Sequence, residues 1–260
     1  MARSARIGRI LILGGTAEAR ELAGALATRE DLAVSLSLAG RTAEPLAQPV
    51  PARRGGFGGA EGLASYLRAE RIDVLIDATH PYAAAISANA VEAARSAEVK
   101  LLALRRPPWI EAPGDAWTVV DTMEDAAEAL GKAPRRVFLA LGRKELRPFE
   151  AAPQHVYLVR SVDPVEPPLA VPHAIYVTAR GPFREEEDRA LLERHRIDAI
   201  VAKNSGGDAT YGKIAAARAL HLPVIMLKRP ALPEVESVAT VADALAWLDH
   251  AMTFSTARGV

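Results

Sequence analysis

Two stretches of this sequence are versions of each other, and together they decide the fold. The first is Ile72-Asp-Val-Leu-Ile-Asp-Ala-Thr-His-Pro-Tyr82, and its unit closes on Leu104-Arg-Arg-Pro107. The second is Ile197-Asp-Ala-Ile-Val-Ala-Lys-Asn-Ser-Gly206, and its unit closes on Leu227-Lys-Arg-Pro230. Each reads as a buried strand, a polar turn, an Ala-rich helix and a second buried strand that ends in two basic residues and a proline. The sequence therefore indicates that one folding unit has been used twice.

The similarity extends upstream, where Arg9-Ile-Leu-Ile-Leu-Gly14 has a counterpart in Arg136-Val-Phe-Leu-Ala-Leu-Gly142. The period of about 125 residues is far longer than the repeat of a solenoid. We therefore predict an α/β protein of two similar Rossmann-like domains, each a doubly wound parallel sheet, related by internal duplication. We place them at residues 1–132 and 133–260, joined by the Pro-bearing segment Gly131–Arg135, with the final helix free to pack back on the first domain.

Composition excludes several classes of function. The chain has 32 basic and 32 acidic residues, so no global field directs it to nucleic acid or to an anionic membrane. It has no cysteine, which excludes disulfides, thiolate metal sites and a cysteine nucleophile. The first residues lack the apolar core of a signal peptide, so we expect a cytoplasmic enzyme or binding protein.

Candidate site residues follow the predicted strands, because parallel sheets bind ligands beyond the carboxyl ends of their strands. Two domains joined by a short linker can turn these edges towards each other, so we expect an interdomain cleft. After the first strand, Gly14-Gly-Thr-Ala-Glu18 opens a helix. Glycines let the backbone approach a phosphate, and the helix N-terminus offers free N–H groups. The alternative is a tight turn without a ligand.

The second strand ends before Arg41 and Thr42, where an enzyme that prefers NAD would carry an acidic residue. A guanidinium pairs well with a 2′-phosphate, so these two residues favour NADP, unless Arg41 is a solvated surface charge.

The loop after the third buried strand carries Thr79, His80 and Tyr82. Histidine suits proton transfer or hydrogen bonding near neutral pH, although a histidine before proline also serves as a structural hydrogen-bonding group. No second histidine stands at metal-ligand spacing, so we expect no metal.

The counterpart loop in the second half runs Lys203-Asn-Ser-Gly206, with Thr210 and Lys213 beyond it. Further cations follow other strands: Arg105, Arg106, Arg143, Lys144, Arg180, Lys228 and Arg229. Gathered at one edge, they would indicate a multiply anionic substrate, whereas dispersed they would be solvated charges or partners of helix C-termini.

At these positions the chain resembles the precorrin-6A reductase family of cobalamin biosynthesis, over nearly its whole length. The resemblance rests on Leu11–Arg20, on Asp77–Ala83 with Ser87 and Asn89, on Leu141–Arg143, and on Lys203–Gly206 with Thr210 and Lys213.

The resemblance implies NADPH-dependent reduction of one macrocycle double bond of precorrin-6A, giving precorrin-6B. We predict that the first domain binds most of the NADPH, through Gly14, Gly15, Thr16, Ala17, Glu18, Arg41, Thr42 and Thr79. We predict that the polyanionic tetrapyrrole binds the second domain and the reacting end, at His80, Tyr82, Ser87, Arg143, Lys203, Asn204, Ser205, Gly206 and Lys213. His80, Tyr82 and Lys203 are candidates to donate or position the proton, with solvent as the alternative.

Other functions stay open at this point. The family also contains cobalt-precorrin-6A reductases of the anaerobic route, which the sequence does not separate. A two-Rossmann-domain glycosyltransferase would also carry Gly-rich turns, and a non-catalytic two-lobed ligand-binding protein would share the duplication. If the protein is a reductase of this pathway, transient contact with neighbouring pathway enzymes is a further expectation.

Overall fold

Two six-stranded parallel sheets, one in each of two units, form the framework of the chain. The computed structural model describes residues 7–40, 42 and 46–257, with side chains up to Met252. One unit is formed by the chain up to Arg106 and again from Pro230 onward, and the other is Pro107–Arg229. The prediction of two Rossmann-like parallel-sheet domains is confirmed.

The first unit begins with five strands and three helices. In chain order they are β1 Gly8–Leu13, α1 Ala17–Leu26, β2 Leu32–Leu38, β3 Ala52–Arg54, α2 Ala60–Ala69, β4 Val74–Asp77, α3 Ala84–Ala97 and β5 Lys100–Leu104.

The second unit contains the next six strands and three helices. They are β6 Trp117–Val120, α4 Met123–Ala129, β7 Arg136–Ala140, β8 Val156–Ser161, β9 Ala174–Thr178, α5 Glu185–Arg194, β10 Ala199–Lys203, α6 Gly212–Ala219 and β11 Val224–Leu227. Two 3-10 helices, Arg143–Glu145 and Arg147–Ala151, lie between β7 and β8.

The chain then returns to the first unit with β12 Ser237–Val238 and α7 Val241–Ala257. The strand order is β12-β5-β4-β1-β2-β3 in the first sheet and β6-β11-β10-β7-β8-β9 in the second. The two orders are the same once the duplicated strands are matched. One outermost strand of each sheet is formed just after the chain leaves the other unit. This strand is β12, beside β5, in the first sheet and β6, beside β11, in the second.

The predicted boundary between residues 132 and 133 therefore differs from the division that the structure shows. Strand β6 pairs with β11, so the chain already belongs to the second unit before residue 132. The segment Gly131–Arg135 is not a linker between units, because it joins α4 to β7 inside the second one. The two basic corners, at residues 105–107 and 228–230, are where the chain passes between units. After the second corner, α7 packs against α1 in the first unit.

Helices cover both faces of the first sheet, as its unbroken apolar strands require. Successive side chains of β1 point to opposite faces. Ile10 and Ile12 pack with residues of α1 and α7, whereas Leu11 and Leu13 pack with residues of α2 and α3. In the second unit, residues of α5 and α6 pack on one face of the sheet.

The duplicated Ile-Asp pair has the same structural function in each unit. A carboxylate oxygen of Asp73 accepts a hydrogen bond from the backbone N–H of Arg9 at 2.9 Å. Asp198 accepts the equivalent bond from Arg136 at 2.7 Å. Each aspartate thus ties the start of its own strand to the start of the central neighbouring strand. In the part of the chain that the structure describes, no helix is long and apolar enough to cross a membrane.

His155 is a fully buried histidine that ties the loop before β7 to β8. Its Nδ1 accepts a hydrogen bond from the backbone N–H of Arg135 at 3.1 Å, which needs a ring nitrogen without a proton. Burial lowers the pKa of His155, and the positive charge of Arg135 acts in the same direction. The folded protein therefore holds this ring neutral.

We expect the free energy of unfolding to decrease as the pH falls below about 6.5, the ordinary pKa of histidine. Below that pH the unfolded chain binds a proton that folded His155 does not, so acid favours unfolding, and above it the contribution is fully present. Urea unfolding at about pH 7.5 and about pH 5.5 measures the effect. His155→Gln should show a smaller loss, whereas the exposed His173→Gln should behave as the wild type. An unchanged loss in His155→Gln would contradict the assignment.

Candidate functional site

The turn between β1 and α1 is open on its outer side. Gly14 is buried and its N–H donates to the carbonyl oxygen of Ser37 at 2.9 Å, so the end of β1 is fixed. Gly15 has a φ of +116° and is exposed, and a Cβ placed there would meet no atom within 4 Å. The backbone of Gly15 is therefore accessible to a ligand, as the sequence predicted for a phosphate turn.

Thr16 is the N-cap residue of α1. Its hydroxyl oxygen accepts a hydrogen bond from Ala19 N–H at 3.1 Å, and its hydroxyl donates to the carbonyl oxygen of Ala78 at 2.8 Å. The side chain thus caps the helix and links it to the loop after β4. Ala17 and Glu18 form the first turn, where Glu18 pairs with Arg106 at 2.6 Å. This ion pair offsets a carboxylate that would otherwise weaken the attraction of the helix N-terminus for anions.

A second Gly-rich loop lies beside this turn, and the sequence analysis missed it. It comprises Gly55-Gly-Phe-Gly-Gly59 between β3 and α2, and three of its glycines have positive φ angles between 83° and 100°. The loop and the turn line one cavity of about 140 Å³. The residues lining it are Leu13, Gly14, Ser37, Ala39, Gly55, Gly56, Phe57, Gly58, Gly59, Leu63, Thr79, Ile86 and Asn89. The signal was present in the sequence as four glycines around an aromatic residue.

The two residues predicted to select NADP follow β2. Arg41 lies outside the described residues. Thr42 is described and half-buried. Ala39, which directly follows β2, lines the cavity.

A buried carboxylate fixes the loop after β4. Oδ1 of Asp77 accepts hydrogen bonds from the N–H and the hydroxyl of Thr79, at 3.2 and 2.7 Å. Oδ2 accepts from the hydroxyl of Ser87 in α3 at 2.6 Å. Ser87 is only 2% exposed, so this geometry favours a role in positioning the loop over contact with a substrate. Thr79 is brought to the cavity wall by the same network.

His80 and Tyr82 lie next to each other in this loop. Their rings are 5.6 Å apart, and Nδ1 of His80 accepts a hydrogen bond from Tyr82 N–H at 3.3 Å. Since Nδ1 is the acceptor, the ring proton of a neutral His80 resides on Nε2. His80 is therefore arranged to donate a hydrogen bond through Nε2.

In the second unit, the loop Lys203–Gly206 lies at the carboxyl end of β10. Nζ of Lys203 is 3.0 Å from Oε1 of Glu145, and both side chains are largely buried. The side-chain amide of Asn204 bonds the backbone of Trp109 twice, as acceptor at 2.8 Å and as donor at 2.9 Å. This amide therefore holds the segment that enters the second unit, a structural function that sequence reasoning did not anticipate.

Arg229, from the second basic corner, holds the backbone of the same loop. It donates to the carbonyl oxygens of Asn204 at 2.8 Å, Ser205 at 3.0 Å and Pro107 at 3.1 Å. Gly206 is buried beneath these contacts with a φ of +67°. Arg229 thus fixes the conformation of the Lys203–Gly206 loop.

Two other predicted cations differ in exposure. Lys213 is 4% exposed, with Nζ donating to the carbonyl oxygen of Thr210 at 2.6 Å and lying 4.7 Å from the ring centre of Trp109. This buried position favours a structural role for Lys213, which holds the backbone at Thr210, over contact with a ligand. Arg143 is exposed at the start of the 3-10 helix after β7 and is accessible to an anion. Among the described side chains, no group of three His, Asp or Glu could hold a metal ion.

The parallel sheets, the glycine turn at a helix N-terminus and the adjacent cavity define the class as a Rossmann-like α/β protein with a dinucleotide-type turn. A family model described as precorrin-6x reductase CbiJ/CobK matches residues 9–249. The chain belongs to this family.

Relatives of the chain carry two related names. A precorrin-6A reductase of a Sinorhizobium species is 56% identical over 242 residues, which cover 93% of each chain. A cobalt-precorrin-6A reductase of Priestia megaterium is 28% identical over 231 residues, covering 85% of this chain and 90% of that protein. A solved structure described as CobK precorrin-6A reductase matches with a TM-score of 0.90 at 50% identity, covering 94% of this chain and 97% of that one.

Proposed function

We propose that this protein reduces one macrocycle double bond of precorrin-6A, giving precorrin-6B, in cobalamin biosynthesis, with NADPH as the hydride donor. Family membership makes it a reductase that needs a nucleotide cofactor. The observation that carries the proposal is the cavity between the Gly14–Gly15 turn and the Gly55–Gly59 loop. Such a cavity at the carboxyl edge of a parallel sheet is where this fold binds dinucleotides. Cytoplasmic location and transient contact with neighbouring pathway enzymes stay parts of this proposal.

The residues of the first unit fit a dinucleotide. Gly15 leaves its backbone open on the outer side, and the first N–H groups of α1 point out of the helix beside it. The pyrophosphate would lie on Gly14, Gly15 and the first turn of α1. Thr16 shapes this turn, because its hydroxyl both donates and accepts a hydrogen bond within the protein. Thr79 would contact the cofactor from the cavity wall.

NADPH in place of NADH is the finer part of this proposal. It rests on Arg41 and Thr42 after β2, where a 2′-phosphate would meet a guanidinium and a hydroxyl. A bound nicotinamide supplies the hydride. The protein must position the macrocycle against it and exclude water from the reacting atoms.

The metal-free substrate is favoured by the comparisons. The relative named precorrin-6A reductase is twice as identical to this chain as the relative named cobalt-precorrin-6A reductase, at 56% and 28%. We therefore assign the chain to the metal-free tetrapyrrole.

We assign carboxylate binding to the second unit, with Lys203 and Arg143 at its strand edge. Lys203→Ala should raise the KM for precorrin-6A about tenfold, with little change in NADPH affinity, because a carboxylate contact made equally in ground and transition states is uniform binding. Steady-state kinetics with each substrate varied in turn measures this.

Glu145 supplies the matched control, since it is the partner of Lys203 at 3.0 Å. Glu145→Gln keeps the shape but removes a competing carboxylate, so the KM for precorrin-6A should stay level or decrease. If Glu145→Gln raises the KM as much as Lys203→Ala, the pair is structural and Lys203 does not bind substrate.

We assign His80 a hydrogen bond from Nε2 to the reacting end of the substrate, with Tyr82 fixing the ring. A protonated ring would lose the bond that Nδ1 accepts from Tyr82, so solvent is the simpler proton source.

His80→Ala should therefore lower kcat/KM about tenfold, the typical cost of one hydrogen bond, and by the same factor across the pH range. A pH-rate profile of wild type and variant measures this. A loss confined to the acid side of the profile would make His80 the proton donor instead.

The proposed function is tested by incubating the protein with NADPH and either precorrin-6A or its cobalt complex, then weighing the product by mass spectrometry. The expected product is precorrin-6A with two more hydrogen atoms, formed faster than the reduced cobalt complex. Reduction of neither tetrapyrrole would reject the function, and faster reduction of the cobalt complex would reverse the choice of substrate.

A further inference from the structure

Arg53, the middle residue of β3, holds the second Gly-rich loop. Its Nη1 donates to the carbonyl oxygen of Gly55 at 2.9 Å, and its Nη2 donates to the carbonyl oxygen of Gly56 at 3.1 Å. Nη1 also donates to the hydroxyl oxygen of Ser37 at 3.0 Å. One guanidinium therefore joins the loop to the end of β2, and all three of these partners line the cavity.

The ring of Phe57 covers one face of the same guanidinium. The central carbon of Arg53 lies 3.8 Å from the ring centre of Phe57 and 5.5 Å from that of Tyr66 in α2. Phe57 and Tyr66 are themselves in edge contact at 5.1 Å. The aromatic pair thus fixes the plane of the guanidinium, and the guanidinium fixes the loop.

The composition of the loop explains why it needs such a support. Four of the five residues from Gly55 to Gly59 are glycines, and Gly55, Gly58 and Gly59 have positive φ angles. Glycine loses more conformational freedom on ordering than any other residue, so a glycine loop without an anchor would sample many shapes. Two hydrogen bonds from one planar group, to the carbonyl oxygens of Gly55 and Gly56, restrict the loop to one shape.

We propose that Arg53 is a positioning residue of the nucleotide pocket, which fixes the Gly55–Gly59 loop and the Ser37 hydroxyl in the shape that receives the cofactor. It acts through these groups and not by contact with the cofactor. The inference rests on the proposed function, since it takes the cavity to be the cofactor's. The guanidinium of Arg53 is engaged by hydrogen bonds to the protein and covered on one face by the Phe57 ring. The surface presented to the ligand is therefore the loop and not the guanidinium.

The experiment compares Arg53→Lys, Arg53→Gln and the neighbouring Arg54→Gln. Arg54 follows in the same strand and is exposed, so it controls for loss of a nearby charge. Fluorescence titration gives the Kd of NADPH and of NADH, steady-state kinetics gives kcat and the KM for precorrin-6A, and thermal unfolding reports folding. Lysine keeps the charge but cannot reproduce the planar fork.

We expect both Arg53 variants to raise the Kd of NADPH and of NADH by the same factor, about tenfold. The kcat at saturating NADPH and the KM for precorrin-6A should stay within about twofold of wild type, as in Arg54→Gln. If Arg53→Gln does not fold, Arg53→Lys decides alone.

Wild-type affinity in Arg53→Lys would overturn the proposal, because charge and not the fork would then suffice. A loss confined to NADPH would overturn it too, because Arg53 would then contact the 2′-phosphate directly. Failure of the proposed function is a separate outcome, since it would appear as wild-type protein that binds neither cofactor.

Discussion

Gly15→Ala should weaken NADPH binding by about 10²-fold while leaving the protein folded. A Cβ at Gly15 would meet no protein atom within 4 Å, so the new methyl group occupies the space through which a pyrophosphate would approach the backbone. The φ of +116° adds strain of about 1–3 kcal/mol to the folded state, which thermal unfolding would register. Fluorescence titration with NADPH measures the binding.

Gly131→Ala is the matched control for Gly15→Ala. Gly131 also has a positive φ, of +77°, and a Cβ there would also meet no atom within 4 Å. It lies in the loop between α4 and β7 of the second unit and does not line the cavity. The control should also lose stability through backbone strain, but bind NADPH as the wild type. If Gly15→Ala also binds NADPH normally, the dinucleotide does not lie on this turn.

Gly206→Ala should lower the free energy of unfolding by about 4 kcal/mol, the second large effect. Its φ of +67° costs an alanine about 1–2 kcal/mol. The Cβ would in addition overlap the carbonyl oxygen of Pro107 and the guanidinium of Arg229, and such overpacking costs about 1–3 kcal/mol. The backbone oxygen cannot yield as a flexible side chain could, so the Lys203–Gly206 loop would have to move.

Denaturant unfolding of Gly206→Ala beside Gly131→Ala separates the two costs, because both glycines lie in the second unit and have positive φ angles. Gly131→Ala should lose only the strain, about 1–2 kcal/mol. Equal losses in the two variants would mean that the contacts of Gly206 with Pro107 and Arg229 are not rigid in solution.

The duplication and the glycine turn were predictable because local patterns encode them. Unbroken apolar runs mark buried parallel strands, and Gly14-Gly-Thr16 marks a strand-to-helix turn whichever other parts of the chain surround it. The cap of α1 is local in the same way, since threonine is a preferred N-cap residue and Thr16 caps this helix.

The exchange of outer strands was not predictable from local patterns. Strand β12 consists only of Ser237 and Val238, which carry no apolar run, and its partner β5 lies more than one hundred residues earlier in the chain. Strand β6 has the sequence of an ordinary strand, and its residues do not indicate whether it pairs with β5 or with β11, its partner in the structure. The predicted boundary between residues 132 and 133 treats each unit as one continuous stretch of chain. Strand pairing instead places β6 in the second unit and β12 in the first.

The candidate site shows a different limit. Sequence indicates which polar side chains follow a strand, but not which way each one points. Ser87 and Asn204 were predicted to contact substrate, and the structure turns their side chains to Asp77 and to the backbone of Trp109. Arg53 lies in a strand too short and polar to be recognised from sequence, so the loop that it anchors was missed.

The central claim is tested most directly by following the absorbance of NADPH after addition of precorrin-6A. We expect the absorbance to fall only when protein, NADPH and precorrin-6A are all present, with one NADPH consumed for each precorrin-6B formed. NADH should support a slower reaction. No loss of NADPH absorbance with intact, folded protein and authentic precorrin-6A would contradict the account.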